Sequence, residues 1–150
     1  MNPIKRFAEW MRLKETLHKM THTPPLFKEG EIWWCSIGEN VGIEVNGKSK
    51  DFTRPLLVFK KLSRDGFLGI PMSTQYKEGS WYVPVMQHGK EVTVLLSQLR
   101  VVSSNRLHAK LGELDDTDCI RVAAAFTNLY LSSNKKFPPP LQAGSWENPK

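Results

Sequence analysis

The spacing of apolar positions changes character several times along the chain, and each change marks an element. Phe7, Trp10, Leu13, Leu17 and Met20 recur at three- and four-residue intervals, with Lys5, Arg6, Arg12, Lys14 and Lys19 between them. That is one face of an amphipathic helix. Asn2-Pro3 supplies an N-cap and a preorganised first position, and Thr21–Pro25 ends the helix. Glu31–Ile37 (EIWWCSI) is aromatic and β-branched and reads as a strand. Gly38 to Thr53 is polar and glycine-punctuated, with Val41–Val45 reading as a short strand inside it. Connections of that length are functional or disordered more often than passive.

Two apolar runs follow, Pro55–Leu62 and Phe67–Met72, separated by Ser63-Arg64-Asp65-Gly66. Asp-Gly between such runs predicts an antiparallel hairpin. Trp81–Met86 and Glu91–Leu96 read as two more strands, with Pro84 placing the first at an edge or a bulge. Ser97–Val102 continues as a short strand, and Arg106–Lys110 reads as a helical turn. The last helix opens at Asp115-Asp116-Thr117-Asp118, acidic residues at its positive end. Ile120, Ala123, Ala124 and Thr127 form one stripe, and Cys119, Val122, Phe126 and Leu129 form its neighbour. So wide an apolar surface predicts burial on more than one face, by the sheet and by a second subunit. Ser132–Lys150 is polar and proline-rich and is expected to be an extended or disordered tail.

The pattern predicts an α+β fold: a small, mostly antiparallel sheet of about five to seven strands, helices at both ends of the chain, and a sheet curling into a partial barrel. At 150 residues the chain makes one ordinary domain. The net charge of +6 favours an anionic partner such as RNA, DNA or an acidic protein segment. Cys35 and Cys119 lie far apart without metal-ligand spacing and read as free thiols of a reducing compartment. No apolar run is long enough to span a membrane, so a cytoplasmic protein is expected.

The hairpin has chemistry at its open end. A turn centred near Arg64 and Asp65 sets Arg54 opposite residues around Thr74 to Tyr76 and brings Arg54, Ser73 and Thr74 together. A guanidinium with two hydroxyls suits a phosphate. The competing reading is a strand start with one exposed arginine and a Ser-Thr turn. A second motif is deceptive. Gly42–Ser49 matches the phosphate-loop pattern literally, but Pro55 and a strand follow where the motif requires a helix, so the match is rejected. The histidines His18, His22, His88 and His108 show no pairing pattern and are taken as non-catalytic. Trp33, Trp34 and Trp81 are expected in the core rather than as stacking platforms.

Gly30-Glu31-Ile32-Trp33-Trp34, Thr53-Arg54-Pro55-Leu56-Leu57-Val58, Ile70-Pro71-Met72-Ser73-Thr74 and Leu96-Ser97-Gln98-Leu99-Arg100 occur in this order, followed by Arg106-Leu107 and Lys110-Leu111-Gly112-Glu113-Leu114-Asp115. Together they resemble the MazF/PemK toxin family of bacterial type II toxin–antitoxin systems, over roughly Phe27 to Leu131. Residues 1–26 then form an N-terminal helical extension, 27–131 the toxin domain and 132–150 a tail.

The resemblance implies an SH3-like barrel and a homodimer. It implies a metal-independent, cofactor-free endoribonuclease that cuts single-stranded RNA and leaves 2′,3′-cyclic phosphate and 5′-hydroxyl ends, with a small acidic antitoxin as partner. It puts Arg54 on the catalytic arginine and Ser73 on the catalytic hydroxyl, with Thr74 as the neighbour if the register is off by one. Glu44 is the loop carboxylate at a family position, either a general base or a solvated charge. The loop departs from the family pattern, with Gly42-Ile43-Glu44-Val45 in place of Gly-Ser-Glu-Gln, which affects base recognition more than the chemistry. Lys48, Lys50, Lys60, Lys61 and Lys77 are the expected RNA-binding cations. Gln98 and Arg100 either brace the site from the neighbouring strand or are ordinary strand polarity with hydrogen bonds to a loop. Two other functions share this fold: a gyrase-binding toxin that cleaves nothing, and a binding module that has lost the chemistry. Arg54 beside Ser73 favours the ribonuclease.

Overall fold

The computed structural model describes residues 5–21, 23–131 and 136–137. Asn2-Pro3, His22 and nearly all of the proline-rich tail lie outside the described residues. Among the described residues two helices, α1 (Phe7–Lys19) and α2 (Asp116–Tyr130), flank seven strands: β1 (Glu31–Ser36), β2 (Thr53–Lys61), β3 (Gly66–Ser73), β4 (Tyr82–Gln87), β5 (Lys90–Leu95), β6 (Arg100–Ser103) and β7 (Leu107–Glu113). The strands run β4-β5-β3-β2-β1-β7, with β6 pairing β3 on the edge opposite β2. All pairings are antiparallel.

Curling of the sheet is set by β3. Its first half, Gly66 to Gly69, pairs with β6, and its end, Met72 and Ser73, pairs with β5. One strand therefore belongs to two sheets, which makes the half-barrel. Ile32, Leu57, Ile70, Met72, Val85 and Val94 fill one core, under Val122 of α2. Phe27, Trp33, Cys35, Ile37, Leu56, Val58, Phe67 and Val102 fill the other. A third, smaller cluster joins Trp10 and Leu17 of α1 to Phe52.

Several elements differ from the sequence reading. Val41–Val45 forms turns, not a strand. The Asn40 side chain binds the carbonyls of Ile37 and Val45, and local side-chain bonds of this kind compete with a sheet ladder. Arg106–Lys110 is no helical turn. A 3₁₀ turn at Ser104–Arg106 leads into β7, which pairs with β1 through two register shifts. Helix α1 starts at Phe7 behind Arg6. Asp115 caps α2 by accepting from the Asp118 amide at 2.7 Å. α2 has a buried and an exposed side among the described residues. Val122 is buried, while Ile120 is 69% exposed. Trp33 is a core residue, but Trp34 and Trp81 are 37% and 40% exposed. Both cysteines are free thiols.

Candidate active site

Arg54 and Ser73 are set by the β2–β3 ladder. Lys60 pairs with Leu68 and Val58 with Gly69, so Phe59 is an extra residue in β2. Beyond this bulge Leu56 pairs with Pro71, and the same register places Arg54 opposite Ser73. The Arg54 Nε donates to the Asn46 carbonyl at 2.8 Å and its Nη1 to the Met72 carbonyl at 3.1 Å. Two of the five guanidinium N–H groups thus fix the fork, and the others are free to meet a ligand. Burial pulls the Arg54 pKa below the usual guanidinium value, yet an arginine stays protonated.

The two residues share a cleft of about 350 Å³. Ile43 and Val45 come from the loop over it, Gln75 and Lys77 from the segment after β3, Tyr82 from β4, and Leu95, Ser97 and Gln98 from the end of β5 and the turn that follows. The Ser73 hydroxyl oxygen accepts from the Gln75 amide at 3.1 Å, which leaves its proton to donate. Gln98 holds the loop down with both ends of its amide: Oε1 accepts from the Val45 N–H at 3.0 Å, and Nε2 donates to the Ile43 carbonyl at 2.9 Å. Hydrogen bonds to a loop are what the plainer of the two sequence readings of Gln98 expects, and here they fall at the edge of the cleft.

Other expected residues fall elsewhere. Thr74 does not line this cleft; it lines a neighbouring apolar cavity with Trp34, Pro55, Gln87 and His88, which Ser73 also borders. Glu44 lies on the other side of the loop, beside Arg100, and its carboxylate accepts from the Val41 amide at 2.9 Å. Burial lowers the Arg100 pKa, and the charge of Glu44 acts in the opposite direction. Lys48 and Lys50 are exposed on the returning limb of the loop. Lys60 and Lys61 sit at the turn end of β2, away from the cleft. Seven residues of strand separate Lys61 from Arg54, about 23 Å. Lys60 pairs with Glu29 at 3.3 Å, and Lys61 donates to the Phe27 carbonyl at 3.0 Å. Of the expected lysines, Lys77 alone lines the cleft.

Asn46, Gln75, Tyr82 and Ser97 were not singled out in the sequence. Tyr82 had a signal, since it alternates with the buried Val83 and Val85 of β4. Asn46 had none, because its contribution is a backbone carbonyl. No histidine lines the cleft among the described residues. His108 Nε2 meets the Ser36 hydroxyl at 2.5 Å, but that hydroxyl donates to the Asp51 carbonyl at 2.7 Å, so it accepts from the imidazole and is no activated nucleophile. Burial pushes the Cys35 thiol up to about 12, which makes it an inert packing group. Among the described residues no cluster of three or more His, Cys, Asp or Glu side chains is arranged to hold a metal ion.

A family model of the PemK-like, MazF-like toxins of type II toxin–antitoxin systems matches residues 28–130. The chain belongs to this family. Helix α1 lies outside the matched segment. Comparison with curated proteins gave no match. Among solved structures the chain resembles MazF from Deinococcus radiodurans (TM-score 0.58, 20% identity, covering 70% of this chain and 96% of that one). It also resembles an endoribonuclease in complex with its cognate antitoxin from a mycobacterial species (TM-score 0.55, 13% identity, 69% and 93%). A third likeness is to the MazE–MazF structure from Deinococcus radiodurans (TM-score 0.54, 18% identity, 70% and 95%). At these identities the likeness shows the fold, a curled antiparallel half-barrel with helices. No helix among the described residues is long and apolar enough to cross a membrane.

Proposed function

We propose that this family member is an endoribonuclease that cuts single-stranded RNA at the Arg54–Ser73 cleft. The observation behind this reading is the pairing of a half-buried, backbone-anchored guanidinium with a free hydroxyl proton under a loop. In the proposed reaction the ribose 2′-hydroxyl attacks its own phosphate, and the 5′-oxygen leaves. A 2′,3′-cyclic phosphate and a 5′-hydroxyl are the products. Arg54 stabilises the charge that grows on the phosphorane, and Ser73 donates to a non-bridging oxygen. One preorganised donor of this kind contributes on the order of 3 kcal/mol. Lys77 and the overall charge of +6 hold the RNA backbone. The cleft presents neither carboxylate nor imidazole among its described lining residues. Rate enhancement then rests on charge stabilisation and alignment, and turnover is slow. Glu44, on the other side of the loop, is left without a part in proton transfer.

A homodimer, a cytoplasmic location and a small acidic antitoxin lying over the basic cleft belong to the same proposal. The antitoxin is supported by the presence of one in the solved mycobacterial complex. The test is incubation of the purified protein, freed of antitoxin, with a long single-stranded RNA in EDTA, beside Arg54→Ala. Discrete cuts that survive the chelator, vanish in the variant and leave cyclic-phosphate ends support the proposal. Intact RNA with a folded protein overturns it.

A further inference from the structure

We propose that helix α1 is a positioning element of the cleft, in which Trp10 seats both stems of the loop 38–52 and so holds the Asn46 carbonyl against Arg54. The inference rests on the reading of Arg54 as the phosphate-binding group. It starts from the fact that α1 lies outside the family-matched residues 28–130, yet it is not loosely attached. Trp10 is only 4% exposed. Its ring fills the space where a side chain at Gly38 would be: a Cβ there would lie 2.1 Å from the ring, and Gly38 has a φ of +90°. The same ring packs on Phe52, with centroids 5.5 Å apart. Gly38 opens the loop and Phe52 closes it, so a single indole touches both stems.

The neighbours of Trp10 reinforce this clamp. Arg6 lies 4.2 Å over the Phe52 ring and donates to the Ser49 carbonyl at 2.8 Å. Lys5 lies 3.9 Å from Glu39. Ser49 and Phe52 have φ of +65° and +51°, conformations that L-residues disfavour and that persist only where the surroundings hold them. From this clamp a short relay reaches the site. The Phe52 carbonyl accepts from the Ile37 and Gly38 amides at 2.9 and 3.3 Å. The Gly47 amide donates to the Gly38 carbonyl at 2.8 Å. The residue before Gly47 is Asn46, whose carbonyl receives the Arg54 Nε. The cluster of Trp10, Leu17 and Phe52 is separate from both sheet cores, so disturbing it loosens the loop before it loosens the barrel.

The test uses the full-length chain with Trp10→Ala and Trp10→Phe. Amide hydrogen exchange at Val45 and Gly47 is read against Leu57 and Ile70 as internal references, and RNA cleavage is measured on the same preparations. In Trp10→Ala the two loop amides are expected to exchange at least about tenfold faster while the references change by less than about twofold. The kcat is expected to fall at least about tenfold with a smaller change in KM, because the misplaced group acts on the transition state. Trp10→Phe, which keeps an aromatic ring, restores most of both. Where Trp10→Ala does not fold, Arg6→Gln removes the Ser49 bond without emptying a core and must shift the same two amides in the same direction. Unchanged loop exchange in a folded variant overturns the proposal, as does faster exchange with unaltered kcat. If the wild-type chain cuts no RNA, the ribonuclease reading falls, and exchange alone decides whether α1 positions the loop.

Discussion

Arg54 faces Ser73, and not Thr74, because of one extra residue in β2. Continued without interruption from Lys60 opposite Leu68, the ladder would bring Thr74 to that place, and the bulge at Phe59 moves it by one. Thr74 consequently stays out of the cleft, while Ser73 borders both the cleft and the cavity beside it. Ser73→Ala is therefore expected to lower RNA cleavage by at least about tenfold, the loss of one charge-assisted hydrogen bond. Thr74→Ala stays within about twofold of the wild type. Single-turnover cleavage of one defined oligonucleotide compares the two. The reverse order of effects would mean that the register assigns the wrong hydroxyl.

Arg54→Lys should behave almost like Arg54→Ala, although it keeps the charge. A single ammonium cannot donate to the Asn46 and Met72 carbonyls and to a phosphate in one plane. Both variants are expected to lose about 10²–10³ in kcat while circular dichroism stays native. A lysine variant with near-normal kcat would show that charge, without the fork, is what the cleft requires.

Lys77 and Lys61 separate the cleft from the rest of the basic surface. Lys77→Ala is expected to raise KM for RNA and to lessen the slope of log affinity against log salt by about 0.7, one phosphate contact on a single strand. Lys61→Ala, whose ammonium caps the Phe27 carbonyl, should leave that slope unchanged. It costs some stability instead, about 1 kcal/mol in urea denaturation.

Glu31 predicts how the fold responds to acid. Burial acts to raise its pKa. Hydrogen bonds from the Trp33 indole, the Lys28 amide and Lys110, with the Lys110 charge, outweigh this, and the carboxyl sits below its usual value. A carboxylate with a depressed folded pKa contributes stability that is present above the unfolded value, about pH 4.3, and is lost as pH falls through the folded one. Glu31→Gln is thus expected to be less stable than the wild type by about 1–2 kcal/mol at pH 7. The gap narrows by pH 3. Urea melts at both pH values check the sign.

The hairpin was legible because Asp65-Gly66 sits between apolar runs, which is local chemistry. Its register was not, because no apolar or polar position announces the bulge at Phe59. The sequence of β7 suggests a helical turn for a related reason. It pairs with β1 through two register shifts and leaves His108, Ala109 and Lys110 exposed, so strict alternation is missing. Arg54 and Ser73 could be named from motif residues, but Asn46 and Trp10 act through a carbonyl and a packed ring. Such contributions depend on where the backbone goes, which residue types alone do not encode.

The strand shared between two sheets also sets an order in time. Arg54 and Ser73 meet through a hairpin whose residues are close in sequence, the sort of contact that forms early. The walls around them come from Val45, from Leu95 and from Gln98, and those must arrive from both directions along the chain. A nascent chain that has emerged as far as Ser73 can already pair the arginine with the serine. Until Gln98 has also emerged and has taken hold of the loop, that pair stands at the edge of an open sheet with no cleft around it.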